Sequence, residues 1–214
     1  MIPNEEEVYE ALCLGHGKKQ QEKFSRGNVV ILGLGSLGSH IAVALARAGV
    51  GYLGHIHLVD FDGVELENIH CQHYDLANIG LEKTEVLKEQ LKQINPYLEV
   101  KATFVKVSEN NLGSLIKGMD VVIEAVDSPV QKSMIVDGFF TQKTPEQVLF
   151  AASGYAGLGD GNLIQTRMIN QSFYLTGDGK SDFVKEKTLY ASRVSLCAAA
   201  QAHAVLRYLI EKAP

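Results

Sequence analysis

Cysteine is scarce in this sequence and poorly placed for cross-linking: Cys13, Cys71 and Cys197 are far apart and form no C-x-x-C pair. An odd, scattered set argues against a disulfide framework and a tetracysteine zinc site, and it fits a reducing compartment. Positive charge is also short. With 20 Lys and Arg against 25 Asp and Glu, the formal charge is −5, which makes nucleic acid an unlikely main partner and favours a protein or a small molecule. No apolar run reaches the roughly 20 uninterrupted residues that a membrane span needs. The nearest approach, Val29 to Val50, is broken by Gly33, Gly35 and Gly38 and carries Ser36, Ser39 and His40. The opening "MIPNEEEVYEALCLGHG" lacks the basic start and apolar middle of a secretory signal, so the expected location is the cytoplasm. It reads as a capped amphipathic helix ending near Gly15, within a helical segment over about 1–27. With neither a repeat nor a low-complexity linker, the expectation is a single domain over 1–214.

What is present alternates. Strand patterns at Asn28–Leu32, His55–Asp60, Leu98–Val107, Asp120–Val126 and Val148–Ser153 are separated by helix patterns ending at Gly49, over Lys83–Gln93, near Asn110–Lys117 and over Val130–Phe140. Such alternation implies parallel strands with crossover helices, an α/β doubly wound, Rossmann-like, mostly parallel sheet. After Ser153 the character changes: a Gly-rich stretch leads to alternating Leu163, Gln165 and Arg167, an expected antiparallel addition to the sheet, and a closing helix runs from Ser192 to Lys212.

Within "VVILGLGSLGSHIAVALARAGV", the glycines Gly33, Gly35 and Gly38 fit G-x-G-x-x-G after a strand and at the opening of a helix, where backbone N–H groups and the helix dipole can receive phosphate. Asp60 closes the second strand, where a carboxylate can accept hydrogen bonds from a ribose. The polar residues that follow, Asp62, Asn68, Gln72 and Lys83, are positioned in sequence to line phosphates, which favours ATP over NAD. Tyr97 and Lys101 sit just past Pro96 at a strand start and would not face a nicotinamide.

The segments "GLGSLGSHIAVALARAGVGYLGHIHLVDFDGVELENIHCQ", "GLEKTEVLKEQLKQINP" and "DVVIEAVD", in this order, resemble the ThiF/MoeB-like relatives of ubiquitin-activating enzymes, specifically the short ThiF type, from about Asn28 to Ile210. The resemblance implies an ATP-dependent adenylyltransferase acting on the C-terminal Gly-Gly carboxylate of a small ubiquitin-like sulfur carrier, ThiS-like, in thiamine biosynthesis, and a homodimer. It implies that Asp60 binds ribose, that Asn68, Gln72 and Lys83 surround the triphosphate, and that Asp127 holds Mg²⁺. Lys83, Asp127 and Asn68 are then the expected catalytic set. Two departures stand out. Cys71 and Glu67 occupy the positions of a family arginine and serine, and the N-terminal arginine that reaches a partner subunit's ATP is absent, with only Lys18, Lys19 and Arg26 nearby. The zinc cysteines of longer relatives are missing as well.

These roles compete with structural explanations. Asp127 could cap the helix that follows, Lys83 could be a solvated helix-start lysine, and Asn68 a turn residue. His70 and His73 flank Cys71 at a spacing that matches no common zinc pattern, and Cys197 lies at the buried spacing of an apolar helix, where cysteine behaves as a small hydrophobe. Two other function classes remain open: an adenylating enzyme acting on tRNA or a small molecule, and a degenerate nucleotide-binding module.

Overall fold

The computed structural model describes residues 2–212, so residues 1, 213 and 214 of the expected domain lie outside the described residues. A capping box, in which Asn4 accepts the N–H of Glu7 while Glu7 accepts that of Asn4, starts α1 (Glu5–His16). A second helix, α2 (Lys18–Ser25), follows at once. Then come β1 (Asn28–Leu32), α3 (Ser36–Arg47), β2 (His55–Asp60), α4 (Lys83–Ile94), β3 (Val100–Phe104), α5 (Glu109–Ile116), β4 (Val121–Glu124), α6 (Pro129–Gln142), β5 (Val148–Ala152), β6 (Gln165–Asn170), β7 (Phe173–Gly177), the short α7 (Phe183–Glu186) and α8 (Ala191–Lys212).

The seven strands form one sheet in the order β3-β2-β1-β4-β5-β7-β6. Every neighbouring pair is parallel except β6–β7, so the doubly wound expectation holds, and the antiparallel element is one hairpin whose inner strand, β7, runs parallel to β5. Leu163 lies just before this hairpin in a 3-10 turn rather than in the strand. Because side chains alternate across a strand, β1 serves two cores. Val29 and Ile31 join α3, α4 and α8 residues such as Ile41, Leu87 and Val205, while Val30 and Leu32 join Leu112 and Ile116 of α5 and Ile135 and Phe139 of α6. β1 and β4 are buried throughout apart from Asn28, as expected for strands covered on both faces.

The strand order reverses between β1 and β4, and Leu32 is in register with both Val59 and Glu124. The loops leaving β1, β2 and β4 therefore emerge side by side at the carboxyl edge, the crevice where open α/β sheets bind ligands. The N-terminal helices lie at the other edge. The carbonyl of Ser25 accepts the N–H groups of Leu53 and Gly54 just before β2, and the hydroxyls of Tyr52 and Tyr97 donate to the carbonyls of Glu5 and Pro3. Tyr97 is thus a fastener for the N-terminus, away from the crevice. Among the described residues no helix is long and apolar enough to cross a membrane.

Candidate nucleotide site

A cavity of about 1030 Å³ opens at the reversal point. Its wall includes Gly33, Gly35, Asp60, Asp62, Asn68, Gln72, Lys83 and Asp127, so eight of the nine residues selected from sequence share one space, and Cys71 lines it too. Gly38 is the exception. A Cβ there would lie 1.9 Å from the carbonyl oxygen of Gly33, so this glycine lets α3 pack onto the loop and does not face the cavity. Gly33 has φ +96°, and a Cβ on it would meet the Ala125 carbonyl at 2.8 Å, which is how the loops after β1 and β4 come into contact.

The N-cap of α3 is Gly35, which offers no capping side chain. Its first-turn N–H groups thus carry the positive end of the helix dipole toward the cavity without a protein acceptor, an arrangement suited to phosphate. Asp60, 6% exposed, holds the loop in place: its carboxylate accepts the N–H groups of Leu34, Phe61 and Asp62. Sequence assigned this residue to ribose, and the structure gives its carboxylate a second task within the loop.

Lys83 is the first residue of α4 and only 4% exposed, which excludes the solvated-lysine explanation. Its one ion pair among the described residues is a 3.6 Å contact with the half-exposed Asp62. Burial raises the Asp62 carboxyl above its usual range, Lys83 opposes that shift, and the charges of Asp60 and Asp127 add to it. Lys83 thus faces Asp62 at long range, while Asp60 and Asp127 act on the Asp62 carboxyl through space.

Asp127 is exposed and has no hydrogen-bond or ion-pair partner among the described residues. The cap of α6 is its neighbour: Ser128 accepts the N–H of Gln131, with Pro129 at the first helical position. The capping explanation of Asp127 is thereby removed. No group of three or more His, Cys, Asp or Glu residues is arranged to hold a metal among the described residues. A lone free carboxylate does fit Mg²⁺, which commonly takes one or two protein carboxylates and completes its shell with water and substrate phosphates. The buried Gln72 Oε1 atom in the cavity also lacks a partner among the described residues.

Asn68 lies in a 3-10 turn over Leu66–Asn68, where its amide donates to Glu65, so its turn role and its place on the cavity wall coexist. Cys71 is 3% exposed, with its sulfur 3.5 Å from Ser36 Oγ at the start of α3. Its carbonyl accepts from His40, whose imidazole is held below its usual range by burial. Cys197 is fully buried in α8, and burial pushes its thiol up to about 12, in keeping with core packing.

Sequence reasoning missed the far side of the cavity. Glu124, 1% exposed at the end of β4, pairs with Lys132 of α6. Beyond it, Ser153 to Ala156 face the irregular segment between β7 and α8, which contributes Gly179 to Asp182, Val184 and Lys187 to Leu189. Arg193 of α8 anchors this wall by donating to the Gly159 carbonyl and the Asp178 carboxylate. A single glutamate within the apolar run "DVVIEAV" is the one signal that pointed here.

The chain matches the family model described as the ThiF family over residues 9–214 and belongs to that family. It is 34% identical over 152 residues to the tRNA threonylcarbamoyladenosine dehydratase of Escherichia coli, covering 70% of this chain and 54% of that protein. To the molybdopterin-synthase adenylyltransferase of Haemophilus influenzae it is 38% identical over 110 residues, 50% of this chain and 44% of the relative. To an adenylyltransferase and sulfurtransferase of Eremothecium gossypii it is 36% identical over 122 residues, 56% and 27% of the two chains. The chain thus spans between about a quarter and just over half of these relatives. In fold it is similar to the Escherichia coli dehydratase solved with ATP, with a TM-score of 0.83, 24% identity and coverage of 99% and 98%.

Proposed function

From membership of the ThiF family, we infer that this chain is an ATP-dependent adenylyltransferase whose acceptor is the terminal Gly-Gly carboxylate of a ubiquitin-like sulfur carrier. The observation that carries this reading is Lys83, a buried lysine with one long ion pair, on the same cavity as the uncapped start of α3 and the free carboxylate of Asp127. Burying an ammonium with so little compensation is costly, and triphosphate is the anion that would repay it. The names of the relatives support adenylyl transfer, and the ATP complex of a fold neighbour supports the nucleotide.

In this reading a carboxylate oxygen of the acceptor attacks the α-phosphorus of ATP. The bond from that phosphorus to the bridging oxygen breaks, pyrophosphate departs, and an acyl-adenylate remains. No protein nucleophile is needed, and neither buried cysteine is suited to be one. The start of α3 and Lys83 orient the phosphates and offset their charge, and Gln72, whose Nε2 lies beside Gly35, can donate to a phosphate oxygen. Asp127 would hold Mg²⁺, which when bound further neutralises the triphosphate. A ThiS-like carrier in thiamine biosynthesis, a cytoplasmic homodimer and a single domain complete the proposal, supported by the order of the short-ThiF motifs and the lack of zinc cysteines.

A second reading, adenylation of a tRNA, is favoured by the dehydratase relative that covers 70% of this chain. The formal charge of −5 weighs against it. Incubating the protein with Mg·ATP and a Gly-Gly-ended carrier, followed by intact-mass spectrometry, tests the first reading. A carrier heavier by one adenylyl group is expected; AMP incorporation only with tRNA would replace it with the second.

A further inference from the structure

The adenylation reading leaves a charge problem at the point of reaction, because a carboxylate must approach a phosphate that is also anionic. Lys83 is poorly placed to solve it. It stands at the start of α4 beside β2, whereas the carboxyl edge of the sheet runs β2, β1, β4, β5. A nucleotide with its ribose at β2 and its phosphates on the loop after β1 leaves the β4–β5 side for the acceptor. Lys180 and Lys187 on the outer wall are exposed. The remaining lysine that lines the cavity is Lys132, with 23% of its side chain exposed.

Its surroundings are specific. The ammonium lies 2.9 and 3.1 Å from the two carboxylate oxygens of Glu124, and 3.3 Å from the carbonyl of Ala152 at the end of β5. Glu124 is itself fixed, since it also accepts the N–H of Val126. An ammonium has three protons; two are held by charge-assisted bonds to Glu124, and the third makes a longer contact with a neutral carbonyl. The ammonium lines the same cavity as Asp127, three positions after Glu124, and as Ser153, Gly154 and Tyr155, which follow Ala152 directly.

We propose that Lys132 is the acceptor-side cation of this enzyme, exchanging its Ala152 contact for an oxygen of the incoming carboxylate, with Glu124 as the residue that positions it. This rests on the adenylation reading and adds to it the place where the acceptor enters, between β4 and β5. Lys132 then draws the carboxylate toward the α-phosphorus and screens the repulsion between the two anions. Its proton stays on nitrogen throughout, so no proton is transferred to or from the lysine.

The test separates nucleotide from acceptor. Wild type, Lys132→Gln, Lys132→Arg and Glu124→Gln are titrated by calorimetry with Mg·ATP and with 5′-O-(N-glycylsulfamoyl)adenosine, a stable stand-in for the glycyl-adenylate, and folding is checked by circular dichroism. Lys132→Gln should bind Mg·ATP within about 3-fold of wild type and the acyl mimic about 10- to 100-fold more weakly, the range for one charge-assisted hydrogen bond. Lys132→Arg should recover part of that loss, and Glu124→Gln should weaken the mimic selectively while keeping the charge of Lys132. If Lys132→Gln fails to fold, Lys132→Arg and Glu124→Gln carry the comparison. Equal losses for ATP and mimic, or none for either, would overturn the assignment to the acceptor side. A wild type that binds Mg·ATP but not the acyl mimic would remove the adenylation reading and this inference together.

Discussion

The carboxylate of Asp60 accepts the backbone N–H of Leu34 at 2.5 Å, joining the end of β2 to the loop that follows β1. It also accepts the N–H groups of Phe61 and Asp62. Asp60→Asn keeps the size of the side chain but turns an amide donor toward backbone donors. A loss of at least about 1.5 kcal/mol in unfolding free energy is expected, together with weaker Mg·ATP binding, because hydrogen bonds to charged groups contribute about 1.5–3 kcal/mol each. Denaturant titration of the variant measures it. Full stability with lost nucleotide binding would assign Asp60 to the ligand alone.

Lys83→Met should separate function from stability. Asp62, the partner left behind, is half exposed, so no carboxylate is stranded in the core, and a buried ammonium is exchanged for an apolar chain of similar length. Unfolding free energy should change by less than about 1 kcal/mol or rise, while pyrophosphate exchange falls at least about 100-fold. A stability loss of about 3 kcal/mol or more would mark Lys83 as a structural residue.

Asp127 and Ser128 should respond in opposite ways. Ser128 caps α6, so Ser128→Ala should lower stability by about 1 kcal/mol with little effect on the chemistry. Asp127→Asn should leave thermal unfolding unchanged and depress exchange by orders of magnitude at saturating magnesium. Exchange at the wild-type rate in Asp127→Asn would reject the metal assignment.

Cys71 stands where the family resemblance places an arginine, and its sulfur lies beside Ser36 at the open start of α3. An arginine there would enter beside the phosphate-facing N–H groups. Cys71→Arg should accelerate pyrophosphate exchange about 10- to 100-fold, the worth of one charge-assisted hydrogen bond, against an overpacking cost of about 1–3 kcal/mol in stability. A slower or equal rate would show that the native site is not impaired.

Much of this arrangement was legible in the residues themselves. The β-branched run before Gly33 and the alternating segment ending at Asp60 fixed β1 and β2 at their observed bounds. α2 falls inside the helical segment expected over about 1–27, but the charged run "KKQQEKFS" gave no sign that Gln21, Phe24 and Ser25 are buried. β7 escaped because its placement depends on parallel pairing with β5, more than 20 residues earlier, and no local pattern encodes that. The same applies to the acceptor side. Glu124 and Lys132 are eight residues apart, and only the path of α6 back over the sheet turns them into an ion pair. Burial of Lys83 is likewise a property of packing, so position in the sequence suggested solvent where the fold supplies a cavity wall.

The most direct measurement is exchange of radiolabelled pyrophosphate into ATP by the wild-type protein at saturating magnesium, with and without a purified carrier ending in Gly-Gly. Exchange that requires the carrier, and that disappears when its terminal glycine is removed, is the expected result. Binding of NAD in preference to Mg·ATP, with no exchange in the presence of any Gly-Gly carrier, would contradict the adenylyltransferase assignment.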